Sequence, residues 1–308
     1  MNVPALRAAQ CVVSEGDCLS RHTTFQLGGP CRVLITCSTP AQLAAAVNEL
    51  QRAGEEFILI GGGSNLLVSD EGVPQVVIRY FSAQPQIQRA DTVVEVSGST
   101  LLDDLAAFTV AQGLAGLVYA SGIPGTVGGA LAGNAGAFGR QIGDVVENVT
   151  VMNHAGQTHT ATPAELQFAY RRSVLQHNDE MVVVARLRLV TAEQGGLAQQ
   201  RAECLQLRRQ KHPDWRVLPT AGSFFKNIEP TSAAGRRQAT GWFLEQAGAL
   251  RMRVRGARPF EKHANIIVRD GDCTAQDVLE LSRQMAAAVE QKFHLQLERE
   301  VRLRGRFR

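Results

Sequence analysis

Apolar residues in the first sixty positions alternate between strand-like runs and helical spacing. Residues 32–36 and 57–60 form short apolar runs of the kind that build buried strands. Between these runs, Thr39 and Pro40 supply a helix cap and first turn, apolar residues recur on one helical face, and Gly54 ends the pattern. The pattern predicts a strand, a helix and a second strand in succession.

The rest of the chain continues this mixture of strands and helices. Strands are predicted at residues 76–80, 93–96, 149–152, 181–190 and 265–268. Helices are predicted from a Ser99 cap to Gly113, through Leu205 and Leu207, at residues 242–246 and from Thr274 onward. Within residues 181–190, apolar residues alternate with Arg186 and Arg188, which predicts a half-exposed sheet. The polar stretch at residues 192–200 is the best candidate for a domain boundary.

Composition narrows the classes of protein that these elements can form. The 308 residues are 44% hydrophobic and 20% charged, which is typical of a folded chain with more than one domain. The net charge is only +3, and basic and aromatic residues do not interleave as in single-strand nucleic-acid binders. No segment reaches the roughly 18 apolar residues that span a bilayer. The six cysteines include no CxxC pair, so no metal site is predicted. We therefore expect a cytoplasmic protein with no nucleic-acid or membrane partner.

The first glycine-rich motif follows the strand predicted at residues 57–60 and consists of Gly61, Gly62, Gly63, Ser64 and Asn65. Glycines permit positive backbone dihedrals and let amide N–H groups converge on an anion such as phosphate. An extended segment follows the motif, whereas a Rossmann fingerprint opens a helix, and the Lys-Ser or Lys-Thr of a P-loop is missing. On this motif alone, a tight loop without a ligand is an equal alternative.

The second glycine-rich motif spans residues 121–137 and contains no charged residue. A flexible linker would be polar, whereas this stretch mixes isoleucine, valine and leucine with its glycines. Such a backbone can lie close against a flat ligand. We favour a ligand-binding loop, and a packed loop without a ligand is the alternative.

Both motifs belong to a set that runs in one order along nearly the whole chain. The set comprises Thr24-Phe25 with Gly28-Gly29, GGGSNLLV at 61–68, GIPGTVGGA at 122–130 with NAGA at 134–137, Tyr170-Arg171-Arg172-Ser173, AGSFFKN at 221–227, KHAN at 262–265 and LEREV at 297–301. In this set the chain resembles the UDP-N-acetylenolpyruvoylglucosamine reductase (MurB) family. It resembles the shorter type of that family, which lacks an additional substrate-capping loop after the YRxS motif.

The resemblance implies an α+β fold. An FAD-binding region of two subdomains, of the vanillyl-alcohol-oxidase (PCMH) type, is followed by a C-terminal α+β substrate-binding domain. The expected ranges are 1–80 and 81–198 for the FAD-binding subdomains and 199–308 for the substrate-binding domain, whose last residues can pack back on the first subdomain.

The resemblance also implies where FAD binds. The first motif would receive the FAD pyrophosphate, and the second would line the flavin and its phosphates through Gly122, Ile123, Pro124, Gly125, Thr126, Gly128 and Gly129. Neither motif contains histidine or cysteine, which agrees with non-covalent FAD.

The implied reaction reduces UDP-N-acetylglucosamine enolpyruvate to UDP-N-acetylmuramate with NADPH, during synthesis of peptidoglycan precursors. Hydride must reach the methylene carbon, and a proton must reach the carbon that bears the oxygen and the carboxylate. The site therefore needs a hydride donor, a proton source and groups that stabilise negative charge.

Three residues match the catalytic positions of the family. Ser223 matches the proton donor, although the bare sequence predicts a helix cap or turn there. Arg171 has a planar fork that suits a carboxylate becoming enolate-like; Arg172 is its competitor, and a solvent-facing arginine is the alternative. Glu300 would stabilise the enol form or assist proton delivery, and a salt-bridged strand glutamate is the alternative.

Tyr170, Lys211 and Asn227 match substrate-binding positions, and a lysine charge with an amide fits recognition of a diphosphate and a sugar. His263 is interpreted as a structural residue. Two other functions stay open: another FAD oxidoreductase of the same fold that acts on a different sugar or alcohol, and a non-catalytic flavin- or nucleotide-binding module. The joint presence of the three catalytic matches argues against the second.

Overall fold

The computed structural model describes residues 1–230 and 236–308. Its contacts divide the chain into two units that are each discontinuous in sequence. Unit 1 comprises Met1–Asp17, Arg32–Gly62 and Gln75–Arg208, and unit 2 comprises Cys18–Cys31, Gly63–Pro74 and Arg209–Arg308. The finer subdivision expected at residues 80 and 198 stays a prediction.

Helices and strands are mixed along the chain. In chain order the strands are β1 (Val12–Glu15), β2 (Cys31–Cys37), β3 (Phe57–Ile60), β4 (Leu66–Val68), β5 (Val73–Tyr80), β6 (Ile87–Ala90), β7 (Val93–Ser97), β8 (Leu114–Ala115), β9 (Gly136–Ala137), β10 (Arg140–Gln141), β11 (Val146–Met152), β12 (Thr158–Ala161), β13 (Met181–Arg188), β14 (Val190–Thr191), β15 (Thr220–Ser223), β16 (Ala257–Phe260), β17 (His263–Arg269) and β18 (Arg302–Arg304). The α-helices are α1 (Val3–Ala8), α2 (Pro40–Arg52), α3 (Leu102–Ala111), α4 (Val127–Ala132), α5 (Pro163–Leu166), α6 (Gln194–Lys211), α7 (Thr240–Gln246) and α8 (Ala275–Phe293).

Unit 1 is built on two antiparallel or mixed sheets. One sheet has the order β1-β2-β5-β3, with β3 and β5 parallel, and the other has the order β12-β11-β13-β7-β6. Arg186 and Arg188 of β13 are exposed while the apolar residues between them are buried, which confirms the predicted alternation. The second sheet covers one buried apolar cluster, and a further cluster contains residues of the first sheet together with Met152, Met181 and Val183 of the second.

Helix α2 forms where the sequence predicts it, because its ends carry strong local signals. The Thr39 hydroxyl accepts the Gln42 N–H, the Gln42 side chain accepts the Thr39 N–H in return, and Pro40 occupies the first turn.

The predicted Ser99 cap of helix α3 is wrong. The helix begins at Leu102, and its N-cap, Leu101, makes no side-chain capping bond. Ser99 is fully buried, and its hydroxyl donates to the Ser38 carbonyl at 2.7 Å and lies 2.8 Å from the Ser97 hydroxyl. Its tertiary partners therefore compete successfully with the helix end.

One other sequence interpretation needs correction. The second glycine motif was interpreted as a loop, yet α4 lies within it, capped by the Thr126 hydroxyl, which accepts the Gly129 N–H at 3.3 Å. Most of the polar stretch at 192–200 is helical in α6, and the two units divide after Arg208; the finer boundary expected in this stretch stays a prediction.

Unit 2 contains a three-stranded antiparallel sheet in the order β15-β17-β16, together with α7 and α8. Thr274 caps α8 in a capping box with Asp277, as predicted for the start of this helix. Strand β4 pairs in parallel with β18. The apolar face of α8 packs with the fully buried Phe224 in one cluster, so the segment that carries Ser223 lies against the core of this unit.

No helix in the described part of the chain combines the length and apolar character needed to cross a membrane. All six cysteines are free thiols.

Candidate active site

The two glycine motifs meet in unit 1. A Cβ added to Gly62 would lie 3.0 Å from the Gly125 Cα, and one added to Gly61 would collide with the Thr126 hydroxyl. Only glycine allows the two backbones to approach this closely. The structure therefore brings together the two stretches that the resemblance assigns to one ligand.

The second motif offers a surface that suits FAD. Gly122 and Gly125 adopt left-handed backbone conformations, with φ of +74° and +114°, and Gly122, Pro124 and Gly129 are exposed. The Ser121 hydroxyl is fully buried and has no hydrogen-bond partner among the described residues, which is a cost that a bound ligand can remove. An uncharged, glycine-lined backbone with an available hydroxyl fits a flat flavin joined to a pyrophosphate, so the residues present fit FAD.

The remainder of the first motif lies in unit 2. Gly63 has φ of +63°, and its carbonyl accepts the Thr24 N–H at 3.2 Å. The Asn65 side chain donates to the Glu300 carbonyl at 3.2 Å, and the Arg302 N–H donates to the Asn65 carbonyl at 3.1 Å. Within unit 2, Asn65 is therefore fixed to the segment that carries Glu300.

Arg171 lies on a tight turn of unit 1 and is not at a strand edge. Its φ is +54°, a conformation that costs energy for a residue with a side chain. Its Nη1 donates to the Gly136 carbonyl at 3.0 Å, and the Gln176 side chain donates to its carbonyl at 3.2 Å. Arg172 is exposed, whereas Arg171 is half-buried and aimed at the NAGA stretch. Which of the two arginines acts on the substrate carboxylate stays a prediction.

Asn134 holds this turn in place. It is buried, and its side chain donates to the Ala169 carbonyl at 2.8 Å and accepts the Gly143 N–H at 3.0 Å. The Ser173 hydroxyl adds a bond to the Ala132 carbonyl at 2.8 Å. Sequence reasoning gave Asn134 no role, although its place inside the NAGA motif was a signal.

Ser223 ends strand β15 directly after an irregularity. The β15–β17 register shifts between Thr220 and Ser223, and Gly222 has φ of +77°. A bulge of this kind re-aims the side chain that follows it. Ser223 is half-buried in the strand, so the helix-cap or turn interpretation of the bare sequence is wrong.

The main chain of Phe224 joins the Ser223 and Glu300 segments. Its N–H donates to the Asn265 carbonyl at 2.7 Å, and its carbonyl accepts the Glu300 N–H at 2.9 Å. The next residues continue the pairing, since the Lys226 N–H donates to the Glu298 carbonyl at 2.8 Å. Ser223 and Glu300 thus lie on neighbouring extended segments of unit 2, although they are far apart in sequence.

Asn265 clamps the same segment through its side chain. It is 1% exposed; its Oδ1 accepts the Phe225 N–H at 2.9 Å and its Nδ2 donates to the Phe225 carbonyl at 2.8 Å. The amide side chain imitates a partner strand at this position. Asn265 belongs to the KHAN stretch, but sequence reasoning did not predict this role.

The three residues assigned to substrate lie in both units. Tyr170 is half-buried in unit 1 and its ring centroid lies 5.6 Å from the Arg171 guanidinium carbon. Lys211 is exposed at the end of α6, and the side chain of the exposed Asn227 accepts the Thr240 N–H at 3.2 Å, at the start of α7. Asn227 therefore has a structural contact in addition to any ligand contact.

Comparisons with known proteins identify the family to which this chain is similar. Residues 212–304 match the C-terminal domain of UDP-N-acetylenolpyruvoylglucosamine reductase, and residues 31–162 match an FAD binding domain. The chain is 38% identical to UDP-N-acetylenolpyruvoylglucosamine reductase 2 of Symbiobacterium thermophilum, over 95% of this chain and 92% of that protein. It is also 38% identical to the reductase of Moorella thermoacetica, over 95% and 93% of the two chains. The crystal structure of the reductase MurB from Thermus caldophilus superposes with a TM-score of 0.77 at 33% identity, covering 96% of this chain and 99% of that one.

The chain belongs to the UDP-N-acetylenolpyruvoylglucosamine reductase family. Membership confirms the resemblance, the α+β class with its FAD-binding region, and the assignment to FAD-dependent oxidoreductases. FAD and NADPH are the cofactors of this reductase family. The roles of individual residues are not tested by these matches and stay predictions.

His263, which has no assigned role, places a buried ring nitrogen next to His212. Its side chain is half-buried, its Nδ1 has no hydrogen-bond partner among the described residues, and its ring centroid lies 5.8 Å from that of His212. Burial lowers the pKa of His263, nearby Lys211 lowers it further and Glu245 opposes this. His263 is thus held towards its neutral form, which agrees with the structural interpretation.

Proposed function

We propose that this chain reduces UDP-N-acetylglucosamine enolpyruvate to UDP-N-acetylmuramate in the cytoplasm, for the synthesis of peptidoglycan precursors. One observation carries the proposal: Phe224 places Ser223 and Glu300 on paired segments in a chain that belongs to this reductase family. FAD held by the two glycine motifs would supply the hydride when bound and reduced by NADPH.

Arg171 is assigned to the substrate carboxylate. The Gly136 carbonyl anchors its Nη1 and so orients the planar guanidinium. A guanidinium stabilises a carboxylate more strongly as that group gains charge, which lowers the barrier to hydride addition. Lysine could not reproduce this fork.

Ser223 is assigned to proton delivery. An alcohol is a weak acid, so it can act only at close range on a strongly basic carbon. The bulge and the bonds of Phe224 fix the main chain on which the hydroxyl is mounted. Glu300 is assigned to stabilising the enol form or assisting this transfer, and its main chain is held by Phe224 and Asn65.

Tyr170, Lys211 and Asn227 are assigned to substrate binding. The exposed Lys211 ammonium can meet a diphosphate as a point charge, and Asn227 supplies amide hydrogen bonds to a sugar. Their loss would raise KM more than it lowers kcat, because such contacts are made equally in the ground state and the transition state.

The test separates the two half-reactions of the purified Ser223→Ala variant. Reduction of bound flavin by NADPH should keep its wild-type rate, and reoxidation by UDP-N-acetylglucosamine enolpyruvate should slow by at least about a hundredfold. Ser223→Cys keeps a proton donor and should reoxidise faster than the alanine variant. Equal rates for the alanine variant and wild type would remove Ser223 from the mechanism.

Wild-type protein provides the test of the reaction itself. NADPH consumption should depend on the enolpyruvyl nucleotide. Flavin-containing protein that ignores this substrate and oxidises another sugar or alcohol would replace the proposal with a different FAD oxidoreductase. Bound flavin without any turnover would leave only a binding module.

A further inference from the structure

One face of helix α6 lies against the second glycine motif within unit 1. Arg201, Cys204 and Arg208 follow at a spacing of three and four residues, which places their side chains on the same side of the helix. Cys204 is buried, and its thiol lies 3.7 Å from the Tyr119 carbonyl and 3.8 Å from the Ser121 carbonyl. This face therefore contacts the main chain where the motif begins.

Arg208 makes the closest of these contacts. Its Nε donates to the Ser121 carbonyl at 2.6 Å, and its Nη2 donates to the Tyr119 carbonyl at 3.1 Å. Arg208 is half-buried, and this burial lowers the pKa of its guanidinium, whereas Cys204 and Asp103 raise it. Partial burial of a cation is costly unless polar groups replace the lost water, as the Ser121 and Tyr119 carbonyls do here. The guanidinium and the two loop carbonyls therefore satisfy each other.

The peptide group between Ser121 and Gly122 is also held at its N–H end. Asp103 accepts the Gly122 N–H at 2.8 Å and is itself paired with Arg201 at 2.7 Å. The Ser121 carbonyl and the Gly122 N–H belong to one planar peptide unit. Arg208 and Asp103 therefore bind opposite ends of a single plane and fix its orientation.

This orientation matters because Gly122 has φ of +74°. A chain with a glycine at this point samples many conformations unless it is restrained. A Cβ on Gly122 would lie 3.0 Å from the Arg208 Cδ, so α6 also packs directly on the glycine. Restraint of the peptide plane sets the direction in which residues 122–129 leave it.

We propose that Arg208 is a positioning residue for FAD, clamping the Ser121–Gly122 peptide so that the second glycine motif is already in its ligand-binding conformation. The inference rests on the proposed assignment of that motif to FAD. Preorganisation of this kind strengthens binding by removing the entropy cost of ordering the loop.

The experiment measures FAD release from the holoenzyme by the recovery of free-flavin fluorescence. Arg208→Met should release FAD at least about tenfold faster, the equivalent of one lost charge-assisted hydrogen bond. The lysine of Arg208→Lys can reach only one carbonyl, so this variant should release FAD at a rate between those of the wild type and Arg208→Met. Arg209→Met, at the exposed neighbour on the same helix, should release FAD at the wild-type rate.

A double-mutant cycle distinguishes positioning from general destabilisation. Asp103→Ala and Arg208→Met act on the same peptide plane, so their combined effect on FAD release should be smaller than the product of the separate effects. Arg208→Met should lower the melting temperature of the FAD-free protein less than that of the holoenzyme. The inference would be overturned, and the proposed function would stand, if Arg208→Met released FAD at the wild-type rate. The same holds if the effects of Asp103→Ala and Arg208→Met on FAD release simply multiplied. A wild-type protein that binds no FAD would overturn both the inference and the proposed function.

Discussion

The Asn265 clamp allows a quantitative prediction. Replacing Asn265 with alanine removes two hydrogen bonds, of 2.9 and 2.8 Å, from the main chain of Phe225. Phe225 is 4% exposed, so water cannot replace the lost partners. Each buried main-chain group left without a partner costs about 1 to 3 kcal/mol, which gives a loss of about 2 to 6 kcal/mol for Asn265→Ala.

Thermal unfolding monitored by circular dichroism tests this value, and the melting temperature should fall by roughly 5 to 20 °C. Asn178→Ala is a matched control, because Asn178 also makes two hydrogen bonds, to Glu180, but is exposed to solvent. The control should change stability by less than about 0.5 kcal/mol. Amide hydrogen exchange should show loss of protection at Phe225 only in the Asn265 variant. Similar melting of both variants would refute the reasoning.

Asn265→Asp adds a pH dependence of known sign. The introduced carboxyl would face the Phe225 carbonyl, to which the wild-type amide donates a hydrogen bond. Only its protonated form can donate that bond, so folding should raise its pKa above that of the unfolded chain. A protein with such a carboxyl loses stability as the pH rises above the pKa that the group has in the unfolded chain. The deficit relative to wild type should therefore be larger at pH 8 than at pH 5.

Two further predictions concern other parts of the fold. Gly63→Ala should weaken FAD retention and lower the melting temperature, because the added Cβ would collide with the His22 carbonyl. Gly54→Ala is the control and should retain FAD. Gly54 has the same backbone strain, with φ of +62°, but open space around the added Cβ. Burial raises the pKa of Tyr80 to about 12, and its hydroxyl lies 2.7 Å from the Ser97 hydroxyl. Wild-type protein should lose stability between about pH 10 and 12, as the unfolded chain ionises first, and denaturation of Tyr80→Phe should lack that contribution.

Local signals determined what could be predicted of the fold. Strand β3 was predicted with its observed ends, because its apolar run is bounded by a polar residue and by glycines. The predicted Ser99 cap was wrong because the hydroxyl that makes serine a good helix cap can also bond to Ser38 and Ser97. No sequence window reveals these partners.

The candidate site shows the same division. Motif order was sufficient to name the glycine loops and the stretches around Ser223 and Glu300. The strand position of Ser223 depends on a register shift against β17, and the turn at Arg171 depends on Asn134, which is distant in sequence. Such supports become visible only when the folded partners are known. The catalytic roles themselves stay predictions until the half-reactions are measured.

The contact between Asn65 and Glu300 sets an order of events during synthesis of the chain. The two residues are 235 positions apart, and β4 has its partner β18 in the same late segment. Ribosomes add about 5 to 20 residues per second, so the first glycine motif must wait roughly 10 to 50 s for these partners. Contacts of such separation also slow folding, because a long loop must close before they form. During that interval Leu66–Val68 is an unpaired apolar strand, and we expect chaperone binding or misassembly of the nascent chain to concentrate there.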